Sequence, residues 1–212
     1  KPDYVPRPLE EELRRDIICP NCGLEHAVFG LATWCPDCGK DIFMCHVKTE
    51  FGVIQKVLSV VDKRREELGA RVAGRDIENG LEDVVSVFEA VLKIITIKHL
   101  ANNGMSHDEI SKRLEKIRNS YQNINSAGET FHAQTGLDLF HNTSQDEVET
   151  LRTIFEKRHP LTHNLGIVDK KYLERVRTGD TEGREIRVTA QEVEIVICIS
   201  KKIISSVYNI CT

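Results

Sequence analysis

The chain has no excess of positive charge, no long apolar run and no repetitive tract. Its 212 residues hold 29 Lys and Arg against 33 Asp and Glu, a formal net charge of −4. That balance excludes a global nucleic-acid signature, so any RNA contact has to come from a local patch. The most apolar stretch, Val193 to Ile199, is stopped by Lys201-Lys202 and is too short to span a bilayer. There is no internal repeat, and no secretory leader opens the sequence. The chain does not begin with Met, so a fragment or processed chain is expected, with room for a further N-terminal domain. The length suits one domain plus a small appendage.

Four of the seven cysteines form two Cys-x2-Cys pairs. This is the pattern of a metal site in a reducing, cytoplasmic compartment rather than of a secreted disulfide framework. Cys19-Pro20-Asn21-Cys22-Gly23 and Cys35-Pro36-Asp37-Cys38-Gly39 share the form Cys-Pro-x-Cys-Gly. Each pair can curl around one ion, and each glycine frees the backbone to turn its amides toward the sulfurs. Cys19, Cys22, Cys35 and Cys38 thus predict a four-cysteine zinc ribbon. Iron in a rubredoxin-like site uses the same spacing; zinc is favoured because nothing else suggests electron transfer. Cys45 and His46 are alternative ligands in principle, but the first four thiolates already close the coordination sphere. Cys198 and Cys211 are expected to be buried free thiols in the final helix.

The rest reads as helices. Residues 1–8 carry three prolines and should be extended, and Glu10 to Asp16 suits a short polar helix. Apolar residues at spacings of three and four predict helices over 49–68 and 81–100, separated by a polar, glycine-rich connector over 69–80. Capping boxes at Ser106–Glu109, Ser144–Glu147 and Thr189–Glu192 predict three further starts. Lys112, Arg113, Lys116 and Arg118 form a solvated basic face and a candidate RNA patch. Residues 121–142 suggest loops and short helical turns, with Phe131, Leu137, Leu139 and Phe140 packing inward. Asp169 can cap a short helix, 184–188 alternates as a short strand would, and 193–210 should be a buried helix. The expected architecture is all-α: an up-and-down helical bundle over 47–212 behind an N-terminal tail and zinc ribbon over 1–46.

The helix opened at Ser144 leads into Arg158-His159-Pro160-Leu161-Thr162-His163-Asn164. Continuing the stripe of Val148, Leu151, Ile154 and Phe155 aims Arg158 at the core or an interface, where a charge needs a partner or a task. An arginine with histidines at a helix end also fits a C-terminal cation cluster favoured by the helix dipole. Pro160 should kink or break the helix. In a straight helix, residues five apart are turned by about 140°, so Arg158 and His163 share a substrate only across such a kink or a subunit interface. His159 and His163 are four apart, but Pro160 stands where His-Glu-x-x-His has its glutamate, which argues against a zinc protease.

Arg158-x4-His163, with His159 after the arginine and Asn164 after the histidine, resembles the signature of the HEPN superfamily. The continuation Gly166 to Leu173 is similar to the segment that follows it in bacterial members, and the resemblance covers roughly 49–212. It implies an HEPN-like bundle and a metal-independent endoribonuclease of toxin or antiviral defence type. It also implies an active site made by two motifs meeting in a homodimer. Some HEPN toxins carry a tyrosine, modified by a partner enzyme, two residues after the motif histidine. Here that position is Leu165, a departure that argues against this mode of silencing.

Metal-free RNA cleavage needs a base for the 2′-hydroxyl, an acid for the departing 5′-oxygen and a counter-charge for the phosphorane. His163 suits proton transfer and Arg158 suits the phosphate. His159 and Asn164 would orient phosphate or ribose. The products would be a 2′,3′-cyclic phosphate and a 5′-hydroxyl. RNA is then the substrate, structural zinc the one cofactor, and a regulatory domain or inhibitor outside this chain a further partner. The alternative is a non-catalytic module, in which the ribbon holds nucleic acid or protein and the bundle only dimerises.

Overall fold

The computed structural model describes residues 15–28, 30–176 and 178–211, with Arg15 described by its backbone alone. The chain divides into two compact units, the first ending at Gly52 and the second beginning at Val53.

The first unit is built on a two-stranded antiparallel sheet. Strand β1 (Arg15–Ile18) pairs with β2 (Glu25–Val28), Ile17 opposite His26 and Ile18 opposite Glu25. An isolated bridge joins Trp34 to Asp41. Ile17, Cys19, Cys35 and Ile42 form a small core, with Leu24, Val28, Ala32, Cys38 and Cys45 against it. So small a core buries little apolar area, and this size class commonly relies on a metal or disulfides. The polar helix expected over Glu10 to Asp16 falls on a strand at Arg15 and Asp16; its earlier residues, like the proline-bearing tail, lie outside the described residues.

Helix α1 (Phe43–Ser59) begins beside Asp41, whose carboxylate accepts from the Phe43 amide at 2.9 Å. It starts six residues before the predicted helix and ends at a turn, Val60, rather than running to Leu68. Helix α2 (Val61–Leu68) follows, with charged residues on most of its surface and only Val61 buried.

Helix α3 (Ala70–Asn102) organises the second unit. At 33 residues it is about 50 Å long. The connector expected over 69–80 does not exist, and the reason is burial. Ala73, Ile77, Leu81 and Val84 carry the apolar stripe back to the helix start. Gly74 and Gly80 each cost about 1 kcal/mol of helix propensity, which packing of the stripe outweighs. At Gly80 the helix lies close to its neighbours: a Cβ there would meet Leu58, Ile54 and Val193 at 3.5–3.8 Å. The polar residues pair with one another, Arg71 and Arg75 on Glu78 and Arg64 on Asp76.

Around α3 stand α4 (His107–Ile117), a 3₁₀ turn (Ser120–Gln122), α5 (Ile124–Thr135), α6 (Gln145–Glu156), α7 (Arg158–His163), α8 (Lys170–Arg175) and α9 (Ala190–Cys211). The capping boxes at Ser106 and Ser144 are both made. Thr189 and Glu192 exchange the same reciprocal bonds at the start of α9, and Asp169 caps α8 through the Tyr172 amide. The core joins α3 to α6 through Phe88 and Phe155, edge to face at 5.5 Å, and α3 to the 3₁₀ turn through Thr96 and buried Tyr121, whose hydroxyls lie 2.7 Å apart. Burial pushes the Tyr121 phenol up to about 12.

Two smaller expectations are corrected. The strand over 184–188 reduces to a single bridge, Ile167 to Glu185. Cys198 is exposed while Cys211 is buried, because Cys198 shares the outer face of α9 with Ile195 and Lys202. Among the described residues no helix is long and apolar enough to cross a membrane.

Candidate functional sites

The four paired cysteines come together. Their sulfurs all lie within 4.8 Å of one another, with Cys19 to Cys38 at 3.7 Å and Cys22 to Cys35 at 3.6 Å. These distances are too long for a disulfide. They match the edge of a tetrahedron, since a zinc–sulfur bond of about 2.3 Å separates two sulfurs by about 3.8 Å. The two halves are near copies. Cys19 N donates to Leu24 O and Gly23 N to Cys19 O; Cys35 N donates to Lys40 O and Gly39 N to Cys35 O. Gly23 and Gly39 close these turns at φ +76° and +66°, where a side chain would be strained.

The thiols compete for charge. Burial raises the Cys19 thiol, but the backbone N–H groups of Cys22 and Asn21 outweigh it and bring it down to about 6. At Cys22 the Leu24 amide lowers the thiol, but burial and the neighbouring sulfurs outweigh it and push it up to about 12. Four sulfurs this close favour one thiolate at the expense of the others unless a cation sits among them. The donor set and its spacing fit a closed, structural ion.

Cys45 and His46 are not part of this four-sulfur group. Cys45 lies 3.9 Å from Ile18 O. His46 is fully buried, its Nδ1 accepting from the Ala32 amide at 2.7 Å and its Nε2 3.1 Å from Glu50 Oε1. With Nδ1 accepting, the proton sits on Nε2 and points at the carboxylate. His46 thus ties the segment before the second cysteine pair to α1.

The second candidate site starts at a helix break. Pro160 has no N–H for the Glu156 carbonyl and its ring would collide with it. The helix therefore stops at Glu156, Lys157 forms the joint, and α7 begins at Arg158. The break lies three residues before the proline rather than at it. Arg158 Nη2 donates to Gln122 Oε1 at 2.7 Å. Arg158 and His159 line a cleft of about 150 Å³ with Gln122, Asn123, Glu156 and Arg175. A wider polar cleft, holding Arg152 and Asn125, shares Asn123, Glu156 and Arg175 with it.

His163, one turn on, is exposed and does not line this cleft. It lies beside His159, ring centroids 5.1 Å apart and planes tilted by 55°. The fold thus brings Arg158 to His159 and His159 to His163. Asn164 is exposed and donates its amide to Ile167 O at 2.7 Å. Leu165 follows at φ +51° and stands 87% exposed. Burial lowers the pKa of His159 below its ordinary value, and the charge of Lys171 adds to this. Asp169 pulls the other way, but at 3.8 Å it is outweighed.

Several polar residues of the cleft carry no motif. Glu156 is buried and takes hydrogen bonds from Asn123 and, at 3.1 Å, from Arg175. Glu89, which is not among the residues lining either cleft, is also buried and pairs with Lys93 at 2.7 Å. Glu89 had a signal: it is an acid inside the stripe of Val85, Phe88 and Leu92. Gln122 and Asn123 had none, since their segment has no clear periodicity. Of the basic patch, Lys112, Lys116 and Arg118 are exposed, and Arg113 bonds Gln134 at 3.3 Å.

The sequence matches no family model, and neither a curated protein nor a solved structure is significantly similar to it.

Proposed function

We propose that this chain is a metal-independent endoribonuclease of HEPN type, of the toxin or defence class, fronted by a structural zinc ribbon. One observation carries the reading. Arg158 and His159, adjacent in the motif, line one polar cleft, and His163 lies one helical turn away against His159. A guanidinium has five N–H donors, and among the described residues that of Arg158 spends one on Gln122. The others can meet phosphate oxygens. Burial, then the charge of Lys171, lowers the His159 pKa, which favours the neutral imidazole that a base for the 2′-hydroxyl must be. His163, outside the cleft but 5.1 Å from the His159 ring, would protonate the leaving 5′-oxygen of an RNA laid across α7. Each protomer supplies one such cleft, and a homodimer that faces two of them makes the composite groove the motif calls for.

The ribbon serves stability or protein contact rather than RNA backbone binding. Its described surface carries Asp16, Glu25, Asp37 and Asp41 against Lys40, which gives phosphate little to bind.

The test is cleavage of mixed RNA by pure protein in EDTA, kept short so that the ribbon keeps its ion. Wild type should cut. Arg158→Ala and His163→Ala should each lose roughly 10²–10⁴-fold in rate, with unchanged helical signal and dimerisation. Wild-type activity in the double variant would remove both residues from the mechanism and leave the non-catalytic module as the reading.

A further inference from the structure

Arg158 is held by residues that its own motif does not contain. Its Nη2 donates to Gln122 Oε1 at 2.7 Å, and the nitrogen of the same amide, Nε2, donates to Glu89 Oε2 at 2.5 Å. The other carboxylate oxygen, Glu89 Oε1, accepts from Lys93 Nζ at 2.7 Å. The chain of contacts runs from α3 through the 3₁₀ turn to α7.

A glutamine amide can present either its oxygen or its NH₂ group, and only one arrangement serves an arginine. An NH₂ facing the guanidinium would oppose donor to donor. A carboxylate paired with lysine accepts and does not donate. It therefore takes the NH₂ and leaves the oxygen for Arg158. Glu89 is 9% exposed, so water competes little for these bonds. A carboxylate on the apolar stripe of the longest helix is expensive to desolvate, and a leucine would pack there without that cost. Packing gives no reason for an acid at this position; orienting Gln122 does.

We propose that Gln122, with its amide set by Glu89, is a positioning residue for Arg158. It fixes the guanidinium so that the remaining N–H groups face the cleft beside His159. This rests on the RNA-cleavage reading, because the aim of an arginine matters to rate only where charge develops.

The test uses full-length protein carrying Gln122→Met, which keeps the side-chain length and removes both hydrogen bonds. Glu89→Gln is the second variant; it keeps the volume but no longer dictates which way the Gln122 amide faces. A misaimed arginine should lower kcat by roughly 10²-fold and leave KM within about twofold. Gln122→Met should cost nothing further in an Arg158→Ala background. A residue that only holds helices together would lower the Arg158→Ala variant again, and that result overturns the proposal.

A second readout needs no activity: the side-chain N–H resonances of ¹⁵N-labelled Arg158. In wild type they should be resolved and slow to exchange, and in both variants averaged. If they are unchanged in both, the proposal fails whatever the rates do. If wild type cuts no RNA yet these resonances collapse in the variants, the cleavage reading fails and the positioning stands.

Discussion

At the scale of single residues, the site turns on how neutral and charged groups are kept side by side. The charges of Lys171, Arg175 and His163 oppose protonation of His159, and that of Asp169 favours it. Burial first, then the charge of Lys171, holds its imidazole below the ordinary 6.5. The unfolded chain therefore binds this proton more readily than the folded one. The stabilisation is complete above about pH 6.5 and is lost as pH falls toward the lower folded value. An NMR titration of the His159 ring should give a midpoint below 6.5, and Lys171→Met should move it upward. A midpoint above 6.5 would contradict the account and leave this residue protonated when a base is needed.

Among the elements, short-range chemistry was the legible part. The helix starts at Ser106, Ser144, Thr189 and Asp169 could all be read from a cap and the apolar stripe behind it. The two Cys-Pro-x-Cys-Gly knuckles were equally plain, because their chemistry is local. What could not be read depended on tertiary burial. The first turns of α3 look like a linker until Ala73, Ile77 and Gly80 are seen packed, and Cys198 looks buried until α9 shows its outer face. The break at Lys157 was displaced from Pro160 because a proline disturbs the turn before it. Gln122 and Asn123 carry no signal of their role, because nothing in the sequence links them to a helix some 35 residues away.

The cap of α6 allows a direct check at this scale. Ser144→Ala should cost about 1 kcal/mol, measured by urea unfolding. Glu147 in the same cap is held down to about 2, by Lys202 first and then by the Ser144 backbone N–H. Its contribution is present above the ordinary 4.5 and is lost as pH falls toward 2. The acid slope of stability between those values should therefore be shallower in Glu147→Gln. An unchanged slope would show that the Lys202 pair does not persist in solution.

For the whole molecule, two units with different sources of stability share one chain. The second has a long central helix and a continuous apolar core. The first has a small cluster of four buried residues around its cysteines and four sulfurs at tetrahedral spacing. Metal binding and folding should therefore be coupled in the first unit and not in the second. One zinc per chain is expected by elemental analysis. Cys22→Ser should unfold the ribbon, seen as loss of amide protection at Ile17 and Cys35, while most of the helical signal survives. Intact protein without stoichiometric metal, or a ribbon that stays protected in the variant, would contradict this.

In the proposed reaction, the cleft beside α7 would activate a ribose 2′-hydroxyl against its own phosphate. The most direct measurement uses an RNA oligonucleotide with a single mapped cut site, compared with the same strand carrying one 2′-deoxy sugar at that position, both in EDTA. The account predicts that the RNA is cut to a 2′,3′-cyclic phosphate and a 5′-hydroxyl. The deoxy strand should bind with similar affinity and stay whole at that position. Cleavage of the deoxy strand at the same rate and the same position would mean that the nucleophile is not the 2′-hydroxyl, and the roles given to Arg158, His159 and His163 would fall with it.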